Sequence, residues 1–391
     1  MLHKPRLLTP GPTPLPERVR LAMAADMIHH RKPQFKALLG RVQEGLRELF
    51  GTAQPVLPLA SSGTGAMKAA VANLFCRGEK VLVVEGGKFA LRWTEIAQAH
   101  GLETVGLTVE WGRALDPKDL AAALDADPGI TGVLIQMSET STTVQHPIEQ
   151  TAALTRKRDL LLVVDGISGV GIAPCPMDAW GVDCLVTGAQ KGLMLPPGLA
   201  LIALSERAWK KAESLPCTDF YFDLRKERQN AEKNQTAFTP AISLIVGLAE
   251  SMEMFREFGL ENLYRKQWAL ARMVRAGIAA LGLTLFAPKD FAWGVTGVLL
   301  PEGVPSSALL ARAADRYGVI MAAGQDHLKE RMIRIGHMGW VDYADMLAGL
   351  AAFAGAFRDC GGYLGSRDYL EQAQEAYLEA LEQGYGRPAS K

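Results

Sequence analysis

The sequence predicts an α/β protein with a mainly parallel sheet, followed by a smaller α+β domain. Short apolar runs alternate with longer amphipathic stretches in the first half of the chain. These runs are apolar on both faces, which is typical of parallel strands covered by helices on each side. The chain of 391 residues is also longer than one compact domain usually holds, which favours two domains.

Seven runs predict the strands of the parallel sheet: Pro55–Ala60, Lys80–Glu85, Glu103–Leu107, Gly132–Gln136, Leu160–Asp165, Cys184–Thr187 and Ala200–Leu204. Stretches with apolar residues at helical spacing predict the helices that cover it: Glu44–Phe50, Gly65–Leu74, Phe89–His100, Pro117–Leu124 and Pro147–Arg156. The alternation of the two sets favours helical crossovers between parallel strands.

The second half of the chain has a different organisation. The polar stretch Leu224–Phe238 predicts a loop, and the helical pattern from Pro240 to about Leu281 predicts one long bridging helix. The smaller α+β domain is predicted from two strand patterns and two helix patterns: Gly297–Leu300, Met332–Ile335, Ser306–Ala314 and Tyr343–Phe357.

The ends of the chain complete the predicted division. The first residues are rich in proline and predict an arm that lies against another part of the molecule. Apolar residues from Tyr369 to Leu381 follow helical spacing and predict a terminal helix packed on the body of the protein. We therefore predict an arm at 1–16, a large domain at 17–262, a small domain at 263–360 and an extension at 361–391.

Composition excludes several classes of protein. Lysine plus arginine equals aspartate plus glutamate at 42 each, so we expect no general attraction to nucleic acid or to an anionic membrane. No apolar run approaches the roughly 20 residues of a membrane span. The five cysteines form no CxxC pair, and the first residues lack the apolar stretch of a secretory signal. A reducing, cytoplasmic location without metal or disulfide sites is expected.

Two charged residues follow neighbouring apolar strands. Asp165 ends the run LLLVVD, and Lys191 follows the run CLVTG within a loop bounded by glycine and proline. Ligands of open α/β sheets bind at the carboxyl ends of strands. Each residue alone has a more ordinary interpretation, a turn aspartate and a surface lysine. Together they indicate pyridoxal phosphate, which needs a fixed, partly desolvated lysine for a Schiff base and an aspartate for its ring nitrogen.

A third motif, SSGTGAMKAA, runs from a strand into a helix. The helix start, with the hydroxyl groups of Ser62 and Thr64, predicts a phosphate cradle around Gly63. An ordinary helix cap is one alternative. Half of a dinucleotide fingerprint is another, with Glu85 ending the next strand, but Lys68 occupies the position of the third glycine.

Five motifs in this order resemble one known family: SSGTGAMKAA, MSETST, VVDGISGVG, TGAQKGLMLPPG and RIGHMG. The sequence is similar to the fold-type I, class V aminotransferases of the alanine–glyoxylate and serine–glyoxylate group. It also resembles the members called soluble hydrogenase small subunits. The resemblance extends from LLTPGPTPLP to RIGHMG, which is most of the chain. It implies pyridoxal 5′-phosphate as cofactor and a homodimer with shared active sites.

The resemblance implies a role for each matching residue. Lys191 would hold the cofactor and later move a proton, and Asp165 would pair with the ring nitrogen. The cofactor would also be contacted by a group of residues around its phosphate, its ring face and its 3′-oxygen: Ser62, Gly63, Thr64, Gln190, Phe89 and Thr140. Phe89 could equally well be an aromatic residue of the buried core rather than a residue that stacks on the cofactor ring.

The resemblance also implies a substrate site. Arg334 in RIGHMG would bind the substrate carboxylate as a planar fork, although alone it would be taken as a surface arginine. The arm around Gly11 would line the carboxylate end of the site. In the loop before Pro240, Thr236 and Thr239 are candidates for contacts with the phosphate of a partner subunit.

Two features depart from the family pattern or allow another interpretation. The family usually has glycine after Ser-Thr, where this chain has Thr143, so we expect that turn to differ. The pair His29–His30 could suggest a metal site, but no third ligand is spaced with it, and we predict no metal.

The predicted reaction transfers an amino group from alanine or serine to a 2-oxo acid such as glyoxylate or pyruvate. No second arginine is obvious for a dicarboxylic donor, which favours small donors. A pyridoxal-phosphate lyase or a phosphonate-directed transaminase on the same fold remains an alternative. From another class, an NAD-dependent oxidoreductase or a hydrogenase-associated subunit also remains, although the scattered cysteines lack the spacing of a metal cluster.

Overall fold

The computed structural model describes residues 4–216 and 218–385. In these ranges the strands are β1 (Arg6–Leu7), β2 (Val56–Leu59), β3 (Lys80–Glu85), β4 (Glu103–Thr108), β5 (Ile130–Gln136), β6 (Ser138–Glu139), β7 (Val144–Gln145), β8 (Leu161–Asp165), β9 (Cys184–Gly188), β10 (Ala200–Leu204), β11 (Thr284–Leu285), β12 (Val295–Leu299), β13 (Val319–Ile320), β14 (Ala322–Ala323) and β15 (Met332–Gly336).

The helices in the same ranges are α1 (Glu17–Met23), α2 (Pro33–Phe50), α3 (Gly63–Leu74), α4 (Lys88–His100), α5 (Pro117–Ala126), α6 (Ile148–Lys157), α7 (Met177–Trp180), α8 (Glu206–Ser214), α9 (Leu224–Ala231), α10 (Ile242–Phe258), α11 (Leu260–Ala280), α12 (Ser306–Tyr317), α13 (Tyr343–Asp359) and α14 (Tyr369–Gln383). None of the helices in the described part of the chain combines the length and apolar character that crossing a membrane requires.

The central sheet confirms the predicted mainly parallel fold. Its seven strands follow the order β2-β10-β9-β8-β5-β3-β4, and only β10 runs antiparallel to its neighbours. Along β3, Val81 and Val83 pack in one apolar core, and Leu82 and Val84 pack in the other. Successive side chains of a strand point to opposite faces, so helices on both sides require a continuous apolar run.

The carboxyl ends of several parallel strands meet at one edge of this sheet. Asp165 ends β8 and pairs in register with Val186 of β9 on one side and with Gln136 of β5 on the other. The residues that follow these strands therefore come together, although they are far apart in the sequence. This edge is where open α/β folds bind ligands.

The predicted smaller α+β region is also present. Its antiparallel sheet has the order β11-β12-β15-β14, and α11, α12 and α13 pack on it. These elements share one apolar core, which includes Leu270, Leu309, Ile333 and Phe353.

Two predictions for the segment before this region are wrong. The stretch Leu224–Phe238 is not all loop, because α9 occupies its first half. Asp223 caps α9 by accepting a hydrogen bond from the N–H of Arg225, and Leu224 is buried. The predicted single helix from Pro240 to Leu281 is two helices, because Gly259 between α10 and α11 has a φ of 84° that only glycine adopts easily.

Helix α2 is much longer than its predicted segment. It begins at Pro33 rather than Glu44, with proline in the first turn where its missing N–H is harmless. The buried residues Phe35, Leu39 and Val42 continue the apolar face of its second half. The preceding short helix α1 has no counterpart in the sequence prediction.

Both ends of the chain pack on the body. In the arm, β1 pairs in parallel with β13, with Arg6 opposite Val319. At the other end, α14 covers α11, with Ala373 and Ala380 buried. A helix therefore lies where the spacing from Tyr369 predicts one.

Candidate active site

A cleft of about 550 Å³, including its mouth, opens at the carboxyl edge of the central sheet. This volume is typical of pockets that bind small ligands. Its lining residues are Ser62, Gly63, Thr64, Phe89, Arg92, Ser138, Thr140, Asp165, Ile167, Ser168, Gln190 and Lys191. The structure thus brings together eight residues that the sequence predicts as a cofactor site.

Asp165 is buried at the end of β8, with only 6% of its surface exposed. One carboxylate oxygen accepts a hydrogen bond of 2.8 Å from the N–H of Ile167. Burial, with a smaller contribution from the nearby Glu139 carboxylate, raises the pKa of this carboxyl group to about 7. A cation placed in the cleft would relieve this destabilisation of the charged form.

Lys191 follows β9 and has a pKa lowered to about 8 by burial and by the positive charge of Arg334. Its ammonium group donates a hydrogen bond to the carbonyl of Pro10 in the arm. The Thr13 hydroxyl donates to the carbonyl of Lys191 at 3.1 Å, and the Thr13 N–H donates to the carbonyl of Gln190. A lysine that is fixed in this way and loses its proton near neutral pH is suited to attack a carbonyl carbon.

The start of α3 forms one end of the cleft. Ser62 precedes the helix, and its hydroxyl does not cap it. The N–H groups of the first turn, at Gly63 and Thr64, have no carbonyl partner within a helix. The side-chain oxygen of Gln190 is buried without a hydrogen-bond partner. The free N–H groups and the hydroxyl groups of Ser62 and Thr64 fit an anionic group such as a phosphate. The Gln190 oxygen is an acceptor, so only the NH₂ group of that amide could donate to such an anion.

Gly63 is also required by the shape of the cleft. A Cβ atom at this position would overlap the side chain of Ile167, which lines the cleft. A side chain at position 63 would therefore displace the Ile167 side chain from its present place in the cleft wall.

Phe89 lies in the first turn of α4 and lines the cleft. The guanidinium carbon of Arg92, one turn later, lies 5.3 Å from the centre of the Phe89 ring. Arg92 also donates a hydrogen bond of 3.2 Å to the hydroxyl of Thr64. Arg92 therefore connects the aromatic wall of the cleft with the start of α3.

Arg334 on β15 does not itself line the cleft, but it is bonded to a residue that does. Its side chain is mostly buried and donates to the carbonyl of Thr140 at 3.0 Å and to that of Ala323 at 2.8 Å. Burial lowers the pKa of Arg334 to about 10. These two bonds use the Nε–H and one Nη1–H of the five N–H groups of the guanidinium.

Gly11 does not line the cleft either, and it contacts the lysine. Its φ is 112°, and a Cβ atom there would lie 2.5 Å from Cδ and 2.6 Å from Cε of Lys191. The structure thus places Gly11 against Lys191.

Thr236 and Thr239 are not part of this cleft in the single chain. They line a second, smaller cleft with Tyr221, Glu227 and Phe238. The Thr236 hydroxyl donates to the carbonyl of Phe238 at 2.7 Å, and Arg31 binds the carbonyl of Thr236.

Thr143 adopts a left-handed backbone conformation, which glycine favours. Its φ is 57°, which is strained for a β-branched residue by about 1–2 kcal/mol. Its carbonyl accepts a hydrogen bond of 2.9 Å from the N–H of Ala292. The expectation that this turn differs from the turn of the family stays a prediction.

Comparison with known proteins identifies the family of this fold and cleft. The family model for class-V aminotransferases matches residues 10–341. The chain belongs to the class-V aminotransferase family. As an aminotransferase it transfers an amino group, which agrees with a cleft that combines a lysine, a buried aspartate and an anion cradle.

Several relatives of this aminotransferase are similar over nearly their whole length. The soluble hydrogenase small subunit of Synechococcus sp. is 36% identical, with 92% of this chain and 95% of the relative covered. The L-aspartate–glyoxylate aminotransferase of Paracoccus denitrificans is 34% identical, with 95% and 96% covered. The serine–glyoxylate aminotransferase of Methylorubrum extorquens is 35% identical, with 88% and 89% covered.

A solved structure has the same fold as this aminotransferase. The ureidoglycine–glyoxylate aminotransferase of Bacillus subtilis superimposes with a TM-score of 0.91 at 27% identity, with 97% of this chain and 99% of that chain covered. The fold-type I architecture predicted from the sequence is therefore confirmed.

Sequence reasoning missed several residues of the aminotransferase cleft. Arg92, Ser138, Ile167 and Ser168 line it without having been predicted. Arg92 could have been found, because it lies one helical turn after Phe89. In the described ranges no three His, Cys, Asp or Glu side chains cluster as metal ligands.

Proposed function

We propose that this chain is a pyridoxal-phosphate-dependent aminotransferase that moves the amino group of a small amino acid, alanine or serine, to a 2-oxo acid such as glyoxylate or pyruvate. One observation carries the proposal. The amino group of Lys191, with a pKa near 8, shares an enclosed cleft with the buried carboxylate of Asp165 and the open N-terminus of α3. Those are the three attachment points that this cofactor offers: an aldehyde, a ring nitrogen and a phosphate.

The residues of the cleft fit the cofactor at each of these points. Ser62, Gly63 and Thr64, with Gln190, would hold the phosphate at the start of α3, and Phe89 would pack on the ring. Thr140 lines the same cleft and would face the 3′-oxygen. When bound, pyridoxal phosphate supplies an electron sink for the substrate carbon that loses its proton.

Lys191 performs the proton transfers in this proposal. Its Nζ atom would take the proton from the substrate Cα and return it to the carbon on the other side of the amino nitrogen. The lowered pKa leaves a large neutral fraction at pH 8, which a general base requires. The carbonyl of Pro10 holds the amine in place while it is free.

Asp165 has a simpler task. Its ionised form would hold a proton on the ring nitrogen of the cofactor, which would keep the ring electron-poor. In its buried position this carboxylate accepts one hydrogen bond from the residues that the structure describes, from the N–H of Ile167, and therefore favours a cationic partner.

Arg334 would bind the substrate carboxylate, and its remaining N–H groups are suited to that. Arg92 also lines the cleft, so it is the candidate for a second substrate-binding arginine. It donates to Thr64 beside the phosphate cradle, so we assign it to the cofactor side rather than to a second substrate carboxylate. This assignment supports a small donor, although one relative is named for aspartate.

A half-reaction screen tests the proposed donor. The protein is loaded with pyridoxal phosphate, and single amino acids are added while the visible absorbance of the lysine-bound cofactor is followed. We expect alanine or serine to bleach the band and to release one equivalent of the matching 2-oxo acid. Fast bleaching by aspartate alone would contradict the small-donor proposal, and β-elimination products would instead indicate a lyase.

We also propose an oligomeric state, a cellular location and a domain division for the enzyme. We propose a homodimer in which Thr236 and Thr239 face the partner's phosphate, which is supported by their place in a separate cleft. A cytoplasmic location is supported by the four cysteines in residues 4–216 and 218–385, which are all free thiols. The division into 1–16, 17–262, 263–360 and 361–391 is likewise proposed, and it accords with two separate sheets.

A further inference from the structure

Glu139, in the short strand β6, is a fully buried carboxylate to which the reaction assigns no task. None of its surface is exposed, and burial raises the pKa of its carboxyl group. One oxygen, Oε2, accepts hydrogen bonds from the N–H groups of Phe89 at 3.0 Å and Ala90 at 2.9 Å. The other, Oε1, accepts from the N–H of Ser141 at 2.9 Å and from its hydroxyl at 2.6 Å. Four donors fix this side chain in one orientation.

The first two of these donors belong to the start of α4. The residue before the helix is Gly87, which has no side chain to cap it. The N–H of Lys88 instead donates to the Ser141 hydroxyl at 2.9 Å, and the next two N–H groups donate to Glu139. A segment some fifty residues later in the chain therefore supplies the cap of α4.

Gly87 makes this arrangement sterically possible. A Cβ atom at position 87 would lie 2.6 Å from the carboxyl carbon of Glu139 and 2.6 Å from the hydroxyl of Ser141. Only a residue without a side chain lets the β6 segment approach the helix start this closely.

The cap holds the aromatic wall of the cleft. Both backbone polar groups of Phe89 are hydrogen-bonded. Its N–H donates to Glu139, and its carbonyl accepts a hydrogen bond of 2.8 Å from the Gln136 side chain. These bonds fix the backbone that carries the Phe89 ring at the wall of the cleft. Arg92, one turn later on the same helix, moves with it.

The same carboxylate also holds the substrate side. Thr140, the next residue, lines the cleft, and its carbonyl accepts the 3.0 Å hydrogen bond from Arg334. Glu139 and Ser141 flank Thr140 and are bonded to each other, so this carbonyl is held in place. The carboxylate of Glu139 is also close enough to Arg334 to raise its pKa, against the larger effect of burial.

We propose that Glu139 is a positioning residue that aligns the aromatic wall for the cofactor ring, through Phe89, with the arginine for the substrate carboxylate, through Thr140. The inference rests on the proposed function, because that function assigns these roles to Phe89 and Arg334. Glu139 touches neither ligand and acts only through the backbone of its neighbours.

The variant Glu139→Gln tests this assignment with little change in size. An amide has one acceptor oxygen, so its NH₂ group must face either the Ser141 donors or the helix start. Loss of hydrogen bonds to a charged group predicts that the dissociation constant of pyridoxal phosphate rises about tenfold or more. The circular dichroism band of the bound cofactor should also change, and KM for the best donor should rise.

A matched control separates positioning from ordinary capping. Asp116 caps α5 by accepting a hydrogen bond of 2.9 Å from the N–H of Lys118 at an exposed site outside the cleft. Asp116→Asn should change the melting temperature little, because asparagine caps helices about as well as aspartate, and should leave the dissociation constant, the cofactor band and KM unchanged. All variants are measured at a temperature at which their far-ultraviolet spectra match the wild type.

The variant Ser141→Ala covers the case in which Glu139→Gln does not fold. It removes only the hydroxyl that joins Lys88 to Glu139, and we expect a smaller change in the same three quantities. If the folded variants at positions 139 and 141 bind pyridoxal phosphate and donor like Asp116→Asn, the inference is wrong. A wild-type protein that binds no pyridoxal phosphate would instead contradict the proposed function.

Discussion

Lys191 is held by the N-terminal arm as well as by its own loop. Pro10 accepts its hydrogen bond, Gly11 lies against its aliphatic chain, and Thr13 binds its carbonyl. Because the arm also pairs with the small sheet, where the N–H of Gly336 donates to Leu8 at 2.7 Å, it joins the lysine to the strand that carries Arg334. The geometry of the reacting amine thus depends on residues at the start of the chain.

The variant Gly11→Ala should displace Lys191. A methyl group at this position would overlap the end of the lysine, and the φ of 112° disfavours any side chain. We expect the rate of cofactor attachment and the turnover to fall at least about tenfold, because small misplacements of reacting groups have large effects on rate. The absorbance of the loaded protein measures the rate of cofactor attachment, and a steady-state assay measures the turnover. Equal values for variant and wild type would show that the contact is unimportant.

Asp165→Asn should have opposite effects on the stability of the apoprotein and on cofactor binding. In the apoprotein the pKa of Asp165 is about 7, above its unfolded value, so its ionised form destabilises the fold at higher pH. This penalty is absent near pH 4, grows as the pH rises and is complete above pH 7. The amide should therefore raise the stability of the apoprotein at pH 8 by roughly 1–4 kcal/mol, and should weaken cofactor binding.

Urea unfolding of apoprotein at pH 5 and pH 8 measures this effect. The difference between Asp165→Asn and wild type should be larger at pH 8. A wild type that loses no stability relative to the variant between these pH values would contradict the raised pKa.

The residues of the site differ in how far the sequence could predict them. Asp165 and Lys191 each follow a buried strand, and parallel strands end at the same edge, so their meeting could be predicted. Glu139 could not, because its partners Phe89 and Ala90 lie about fifty residues earlier and use backbone groups that no sequence pattern marks. Gly11 was predicted to line the substrate site, and only the structure shows its contact with Lys191.

At the scale of elements, the parallel strands were predictable because both of their faces are buried. Helix α9 was not, because most of its residues are polar, with only Leu224 and Glu227 buried. The break between α10 and α11 depends on one glycine within an otherwise continuous helical pattern. The first error thus comes from the polar composition of a helix, and the second from the conformation of one glycine.

The terminal helix α14 should stabilise the small region. Ala373 packs against Gly277 of α11, where an added Cβ would lie 3.3 Å away, and Gln374 donates to the hydroxyl of Tyr343. Deletion of residues 366–391 exposes this apolar face of α11, and we expect the melting temperature to fall by about 5 °C or more. Calorimetry of the loaded enzyme measures it.

A chain that ends at residue 385 is the matched control for this deletion, since it retains α14. Its melting temperature should remain near that of the full chain. If the longer deletion also leaves melting temperature and turnover unchanged, α14 has no stabilising role.

At the scale of the whole molecule, the proposed dimer places Thr239 near the partner's site. Thr239→Arg introduces a long charged side chain into the second cleft, which Tyr221 and Phe238 also line. We expect weaker association in sedimentation velocity and a higher dissociation constant for pyridoxal phosphate. A variant that is monomeric yet binds cofactor as tightly as wild type would contradict the shared site, and Lys226→Arg serves as a conservative surface control.

The fold, the cleft and the family together support Lys191 as the lysine that binds pyridoxal phosphate covalently. The most direct test is reduction of the loaded protein with borohydride, followed by peptide mass spectrometry. We predict one pyridoxyl-phosphate adduct, located on Lys191, and none in Lys191→Ala. Protein that acquires no adduct, or an adduct on a different lysine, would contradict it.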